Sequence, residues 1–150
     1  MAPSIFAAGT KTVTTSELDG YTQSGGVVKI VADATAPGGE ALQLKTDSTA
    51  ESYADNRIGV NLPIEQITKL SYMTKTMSGP DNASASFAVG IDNNGDGVAD
   101  KYLSYEPYWQ NDGSPDAAPV VADQWQTWDV TGGLFWTDGT AGPPLYTWAE

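Results

Sequence analysis

Nine residues near the middle of the chain, 92–100, carry oxygen-bearing side chains at regular intervals. Calcium takes six to eight oxygen ligands, and alternate carboxylates and amides in a short loop can surround one such ion. A glycine at the sixth position, Gly97, permits the sharp turn that a calcium loop needs. The spacing therefore predicts a calcium site. The expected ligands are the side chains of Asp92, Asn94, Asp96 and Asp100 and the backbone carbonyl of Val98.

The loop departs from the EF-hand in two respects. Its twelfth position is Leu103 where a bidentate glutamate is expected, and its flanks alternate like strands instead of helices. The alternative is a solvated hairpin turn, because Asn-Gly and Asp-Gly pairs are ordinary turn sequences. We favour calcium, since four oxygen-bearing side chains in register are more than a turn requires.

Aromatic residues form the second group that could have a binding function. All five tryptophans lie in the last third of the chain. Sugar rings stack on aromatic faces while nearby polar groups bind their hydroxyls, so this cluster predicts a carbohydrate platform. The alternative is that the rings fill the core. In a strand over 124–130, Trp125 and Trp128 take opposite faces, so only one can enter the core. The candidate ligand-binding residues are Tyr108, Trp109, Trp125, Trp128 and Trp136.

These residues are carried by segments with the two-residue period of strands. The segment 84–91 alternates, and Leu103 and Tyr105 continue the pattern beyond the loop, which predicts a long β-hairpin over 84–109. Further strands are predicted at 11–15, 27–32, 41–46, 57–62, 69–75 and 124–130, with one helical turn at 63–67.

The same alternation assigns inward faces to two of these strands. In 41–46, Leu42 and Leu44 are expected to point inward, and in 57–62, Ile58, Val60 and Leu62 share one face. Many short strands separated by Gly, Pro, Asn and Asp predict an all-β antiparallel sandwich with at most one or two short helical turns. We expect a single domain over 1–150.

Composition excludes several functions. The chain has 150 residues, a net charge of −12, one arginine, no cysteine and no histidine. Nucleic acid and anionic membranes are unfavourable partners for such a surface. Without cysteine there is no thiol nucleophile, disulfide or Cys-ligated zinc site, and without histidine the commonest general base and metal ligand are missing. No pair of carboxylates is placed for glycoside hydrolysis by spacing alone, so we do not expect an enzyme.

From Ala41 onward the chain resembles secreted bacterial β-sandwich modules of the jelly-roll type, lectin-like or adhesin-like surface domains. The more specific motifs are VGIDNNGDGVADKYLSYEP at 89–107 and WQTWDV at 125–130. The resemblance implies a jelly roll, an extracellular location and a binding role, and it supplies no catalytic residues. In similar modules a TWAE-type segment opens a short helix, whereas here Glu150 ends the chain.

Two function classes follow. The first is a secreted, calcium-stabilised module that binds carbohydrate or a cell-envelope polymer. The second is an assembly protein, such as a surface-layer, adhesin or virion decoration component. In that case a complementary C-terminal fragment or a neighbouring copy would supply missing strands. The alternative is that the sandwich closes without them, and we favour the incomplete module.

Overall fold

The computed structural model describes residues 18–60, 62–77, 84–110, 120–137 and 144–150. Every regular element in these ranges is a strand, apart from two 3₁₀ turns at Ile64–Gln66 and Pro107–Trp109. The strands are β1 (Asp19–Gln23), β2 (Val27–Ala32), β3 (Glu40–Lys45), β4 (Tyr53–Arg57), β5 (Ser71–Lys75), β6 (Phe87–Ile91), β7 (Lys101–Tyr105), β8 (Trp125–Asp129), β9 (Leu134–Thr137) and β10 (Tyr146–Thr147). The predicted strand at 11–15 lies outside the described residues.

The chain divides into two compact units, Met1–Val60 and Asn61–Glu150, which we call the N-terminal and C-terminal units. In the N-terminal unit, β1 pairs with β4 and β2 pairs with β3, both antiparallel. A tight turn connects β1 to β2, with positive φ at Ser24 (48°) and Gly25 (85°). Gly20 of β1 lies directly against Val28 of β2, since a Cβ on Gly20 would meet that side chain at 2.8 Å. The β1–β4 ladder therefore packs over the β2–β3 ladder.

One prediction for this unit holds only in part, and another is wrong. Leu42 and Leu44 are 40% and 37% exposed, whereas their neighbours Ala41 and Gln43 are partly buried. Leu42 and Leu44 share the face of Val28, which contacts Gly20 of β1, so this face is turned toward the β1–β4 ladder but is only partly covered. The strand predicted over 57–62 instead ends at Arg57, and Ile58 and Val60 are exposed. β4 pairs with β1 through Tyr53–Arg57, a segment expected to be mostly loop, because pairing partners are invisible to single-strand periodicity.

In the C-terminal unit, the strand order of the larger sheet is β10-β9-β7-β6. The predicted hairpin is confirmed: β6 and β7 pair from Phe87↔Tyr105 to Ile91↔Lys101. β5 and β8 form a separate antiparallel ladder. Every ladder between these strands is antiparallel, which confirms the prediction that the chain is all-β and antiparallel.

Aromatic rings join the sheet and the ladder of the C-terminal unit. The buried cluster consists of Tyr105, Trp128, Val130 and Phe135. The ring of Tyr72 on β5 lies 5.3 Å from Phe87 on β6 and 5.9 Å from Tyr105 on β7. Burial of Tyr72 raises the pKa of its phenol well above the ordinary value, so this ring stays neutral.

A close packing contact and a set of hydrogen bonds further stabilise this core. Gly133 lies against the ring of Tyr105, at a distance that no larger residue would allow. The buried side chain of Gln110 donates to the backbone carbonyls of Glu106 (2.9 Å) and Leu134 (3.1 Å) and accepts from the Leu134 N–H (2.8 Å). It thereby attaches the second 3₁₀ turn to β9. Within the described ranges, no helix is long and apolar enough to cross a membrane.

Candidate functional site

The 92–100 loop connects β6 to β7, and Asp92 organises it. Asp92 Oδ1 accepts the N–H groups of Asn94 (3.2 Å) and Gly95 (2.6 Å), and Oδ2 accepts that of Gly97 (2.8 Å). These donors stabilise the carboxylate and lower the pKa of Asp92, the Gly97 bond contributing most. Gly95 and Gly97 have φ values of 78° and 86°, a region where other residues are strained.

The remaining side chains of the loop also bind backbone groups. Asn94 Oδ1 accepts the N–H of Asp96, and Asp96 Oδ1 accepts that of Val98, both at 2.8 Å. Asp100 Oδ2 accepts the Asn93 N–H at 2.7 Å. No group of three or more acidic side chains among the described residues is placed to hold a metal ion. The geometry is thus a series of Asx turns, and calcium binding stays a prediction that would require the carboxylates to turn toward a common centre.

The two tryptophans of β8 occupy opposite faces, as predicted. Trp128 is buried, and its indole N–H donates to Thr74 Oγ1 at 2.7 Å. Thr74 Oγ1 also lies 2.8 Å from Ser84 Oγ. Because its ring and its polar atom both have partners inside the protein, Trp128 serves the core and is unsuited to the ligand-binding role proposed for it.

Trp125 lies on the other face of the β5–β8 ladder. The register places it opposite Lys75, and the strand period puts Thr127 and Asp129 on the same face. Met73, 42% exposed, pairs with Thr127 on this face. Trp125 is partly buried. The outer face of the ladder therefore combines one large ring with hydroxyl, ammonium and carboxylate groups.

Trp109 and Trp136 lie together beside Glu106. Burial raises the pKa of the Glu106 carboxyl, and the indole N–H groups of Trp136 and Trp109 lower it in part. Glu106 Oε2 and Trp136 Nε1 are inaccessible to water yet have no partner in strict hydrogen-bond geometry. The three partly buried residues therefore form one polar and aromatic cluster centred on the Glu106 carboxyl. The side chain of Tyr108 lies outside the described part of the structure.

A groove of about 600 Å³ adjoins the end of β8. Its lining combines the ring of Trp148 with the carboxylate of Asp129, the Thr131 side chain and Glu65. Asp129 Oδ1 accepts the Thr131 hydroxyl (2.9 Å) and the Gly132 N–H (3.1 Å), which lower the pKa of Asp129. Trp148 rests on Phe135, with ring centroids 5.5 Å apart. The groove therefore contains a fixed carboxylate near a supported aromatic ring.

Comparison with known proteins gave no match to any family model, curated protein or solved structure. The resemblance to secreted jelly-roll modules accordingly stays a prediction.

Two residues of the groove were not among the candidates from sequence. Trp148 was passed over because it lies near the end of the chain, outside any predicted strand, and Thr131 follows β8 in a turn. The available signal was the sequence Asp129-Val130-Thr131-Gly132, in which Asp and Thr two residues apart favour a side-chain-stabilised turn.

Proposed function

We propose that this protein is a non-catalytic binding module for carbohydrate or a cell-envelope polymer. The binding surface is the outer face of the β5–β8 ladder together with the adjoining groove. The observation that carries the proposal is that the two tryptophans of β8 lie on opposite faces of the strand. Trp128 enters the core, whereas Trp125 shares the outer face with Thr127 and Asp129.

The chemistry of this surface suits a saccharide. A sugar ring has an apolar C–H face that stacks on an indole and hydroxyls that need carboxylate, hydroxyl or ammonium partners. Trp125 and Asp129 are four residues apart on one strand, which separates them by about 13 Å. Asp129 lines the groove that also contains Trp148. An extended saccharide can therefore contact an aromatic ring at each end and the Asp129 carboxylate between them.

The experiment measures binding of the chain to chitin, cellulose and xylan by pull-down, followed by calorimetry with the matching trisaccharide. Trp125→Ala and Trp148→Ala should each weaken binding by about tenfold, a loss of about 1.4 kcal/mol. Tyr102→Ala is the matched control, because Tyr102 is 50% exposed on β7, a strand of the other sheet of this unit. Equal affinities for all these variants would contradict the proposal.

Calcium binding and an extracellular location complete the proposal. The Asp-rich sequence of the 92–100 loop supports the first, and the acidic composition, with a net charge of −12, supports the second. Calorimetric titration with calcium chloride, and melting with and without a chelator, test the metal directly. A heat of binding that disappears in Asp92→Ala but persists in Glu51→Ala supports a site in the loop. Absence of any heat leaves the Asx turns as the sole role of these side chains.

The second candidate function is assembly, and the incompletely covered apolar face of the β2–β3 ladder favours it. Val28↔Leu44 and Ile30↔Leu42 are directly paired, so these four aliphatic side chains share one face. Exposed apolar patches on small proteins mark association surfaces. A neighbouring copy or a complementary fragment would cover Leu42 and Leu44.

Light scattering over a concentration series tests assembly. The double variant Leu42→Ser/Leu44→Ser should remain monomeric at concentrations at which the wild type associates. Val98→Ser is the control, since Val98 is 66% exposed in a different part of the chain. A wild type that is monomeric at every concentration would contradict self-assembly.

A further inference from the structure

The outer face of the β1–β4 ladder carries two exposed tyrosines that no sequence pattern had identified. Tyr21 and Tyr53 are 50% and 49% exposed, and their ring centroids are 6.1 Å apart with a tilt of 58° between the planes. The register puts Asp55 opposite Tyr21, and the strand period puts Tyr53, Asp55 and Arg57 on this same face. We call Tyr21, Tyr53, Asp55 and Arg57 the tyrosine face.

Asp55 fixes the geometry of this face. Its Oδ1 accepts the backbone N–H of Tyr21 at 3.2 Å. Its Oδ2 accepts both the Tyr53 hydroxyl at 3.3 Å and Arg57 Nε at 3.2 Å. The Asp55 side chain is only 22% exposed, whereas that of Arg57 is 65% exposed. One carboxylate thus orients a tyrosine and a guanidinium that both remain open to solvent, which reduces the entropy lost when a ligand binds.

The chemistry of the tyrosine face selects its ligand. It has no aliphatic side chain, since the other outward positions are Asp19 and Gln23. Tyrosine offers a rigid apolar ring with a hydroxyl, and arginine offers a planar set of donors that can bind two neighbouring oxygens. The Arg57–Asp55 pair is locally neutral within a chain of net charge −12, so an anionic ligand would be repelled overall.

We propose that the tyrosine face is a second binding site, for neutral saccharide, within the N-terminal unit. The inference rests on the proposed function, because it assigns the same ligand class to a separate surface. One chain would then hold a polysaccharide at two places. When two sites on one chain engage the same polymer together, the affinity rises by roughly 10²-fold or more over either site alone, without new contacts.

The test counts sites on the full chain by calorimetry with chitotriose, cellotriose or xylotriose. The wild type should bind two molecules of trisaccharide. Tyr21→Ala/Tyr53→Ala and Trp125→Ala/Trp148→Ala should each bind one, and Tyr102→Ala should still bind two. Binding to the corresponding polymer should fall roughly 10²-fold in the tyrosine variant. Arg57→Lys keeps the charge and removes the planar donors, so it should weaken the second site while circular dichroism stays unchanged.

The outcomes separate this inference from the proposed function. One trisaccharide per wild-type chain, lost with the tryptophan pair and unaffected by the tyrosine pair, overturns the tyrosine face and leaves the proposed site. One trisaccharide lost only with the tyrosine pair supports the tyrosine face and overturns the site on β8. A wild type that binds none of the three saccharides or their polymers overturns both.

Discussion

The two units of the chain use different means to hold their strands. In the C-terminal unit, Tyr105, Trp128, Val130 and Phe135 form a buried cluster in which rings from the sheet meet a ring from the β5–β8 ladder. In the described part of the N-terminal unit, Ala36 is the only buried hydrophobic residue. Its strands depend on ladder hydrogen bonds and on turns such as Asp33–Thr35, where Asp33 Oδ1 accepts the Thr35 N–H at 2.8 Å.

This difference shows where stability and binding surfaces can be separated. Burial of apolar area is the main favourable term in folding, so the C-terminal unit should supply most of the stability. Its proposed binding surface is the outer face of the β5–β8 ladder, whose inner face packs against the core. The described part of the N-terminal unit exposes aromatic and aliphatic side chains and has little core to lose. We expect its amide protons to exchange faster than those of β7 and β9.

The largest expected effect comes from emptying the packed core. Phe135 is 1% exposed, so Phe135→Ala should lower the free energy of unfolding by about 3–5 kcal/mol. Leu42→Ala removes a side chain that is 40% exposed and should cost about 0.5–1 kcal/mol. Urea denaturation followed by tryptophan fluorescence and circular dichroism measures both. Equal losses would mean that Leu42 is covered in solution and that the contrast between the units is wrong.

A smaller effect distinguishes the two faces of β8. Trp128→Phe keeps an aromatic ring in the core but removes the donor to Thr74 Oγ1 and leaves a small cavity, so it should cost about 1–3 kcal/mol. Trp125→Phe lies on the outer face and should change the free energy of unfolding by less than about 0.5 kcal/mol. The same denaturation experiment applies. A larger loss for Trp125→Phe would show that the outer face is structural and would remove the basis for a binding role there.

The next largest effect on stability is expected in the loop between β6 and β7. Asp92 accepts three backbone N–H groups in the described structure, whereas Asp96 accepts one. Without calcium, Asp92→Ala should therefore lower the melting temperature more than Asp96→Ala does. With calcium, both variants should lose the same metal-dependent gain if both side chains are ligands. A calcium-dependent gain that survives in Asp92→Ala would place the ion elsewhere.

The smallest expected effect is on the pH dependence of stability, which has one sign for Asp92 and Asp129 and the opposite sign for Glu106. The pKa values of Asp92 and Asp129 are lowered by hydrogen bonds, so their contribution to stability is present above the ordinary value of 3.8 and is lost as pH falls through the folded pKa. The pKa of Glu106 is raised by burial, so its contribution is present below the ordinary value of 4.5 and is lost as pH rises through the folded pKa.

Glu106→Gln isolates the second of these contributions. The variant cannot ionise, so its urea midpoint should exceed that of the wild type by a margin that grows as pH rises from about 4.5 toward neutrality. Glu65→Gln is the control, because Glu65 is exposed in the first 3₁₀ turn. A margin that is constant with pH would mean that Glu106 ionises normally.

The sequence was informative wherever a strand had one buried and one exposed face. Alternation located β6 and β7 and separated Trp125 from Trp128, because the pleat assigns faces by residue number alone. It misplaced β4, since strand pairing depends on partners distant in sequence. The tyrosine face escaped for the same reason: Tyr21 and Tyr53 are 32 positions apart and meet only through the β1–β4 register.

The most direct test of the account is an NMR titration that follows the indole N–H signals of the five tryptophans as saccharide is added. The account predicts shifts for Trp125 and Trp148, which adjoin the outer face of β8 and its groove. It also predicts an unchanged signal for Trp128, whose indole N–H is bound to Thr74 inside the core. No shift at Trp125 or Trp148 with a saccharide that binds, or a selective shift at Trp128, would contradict it.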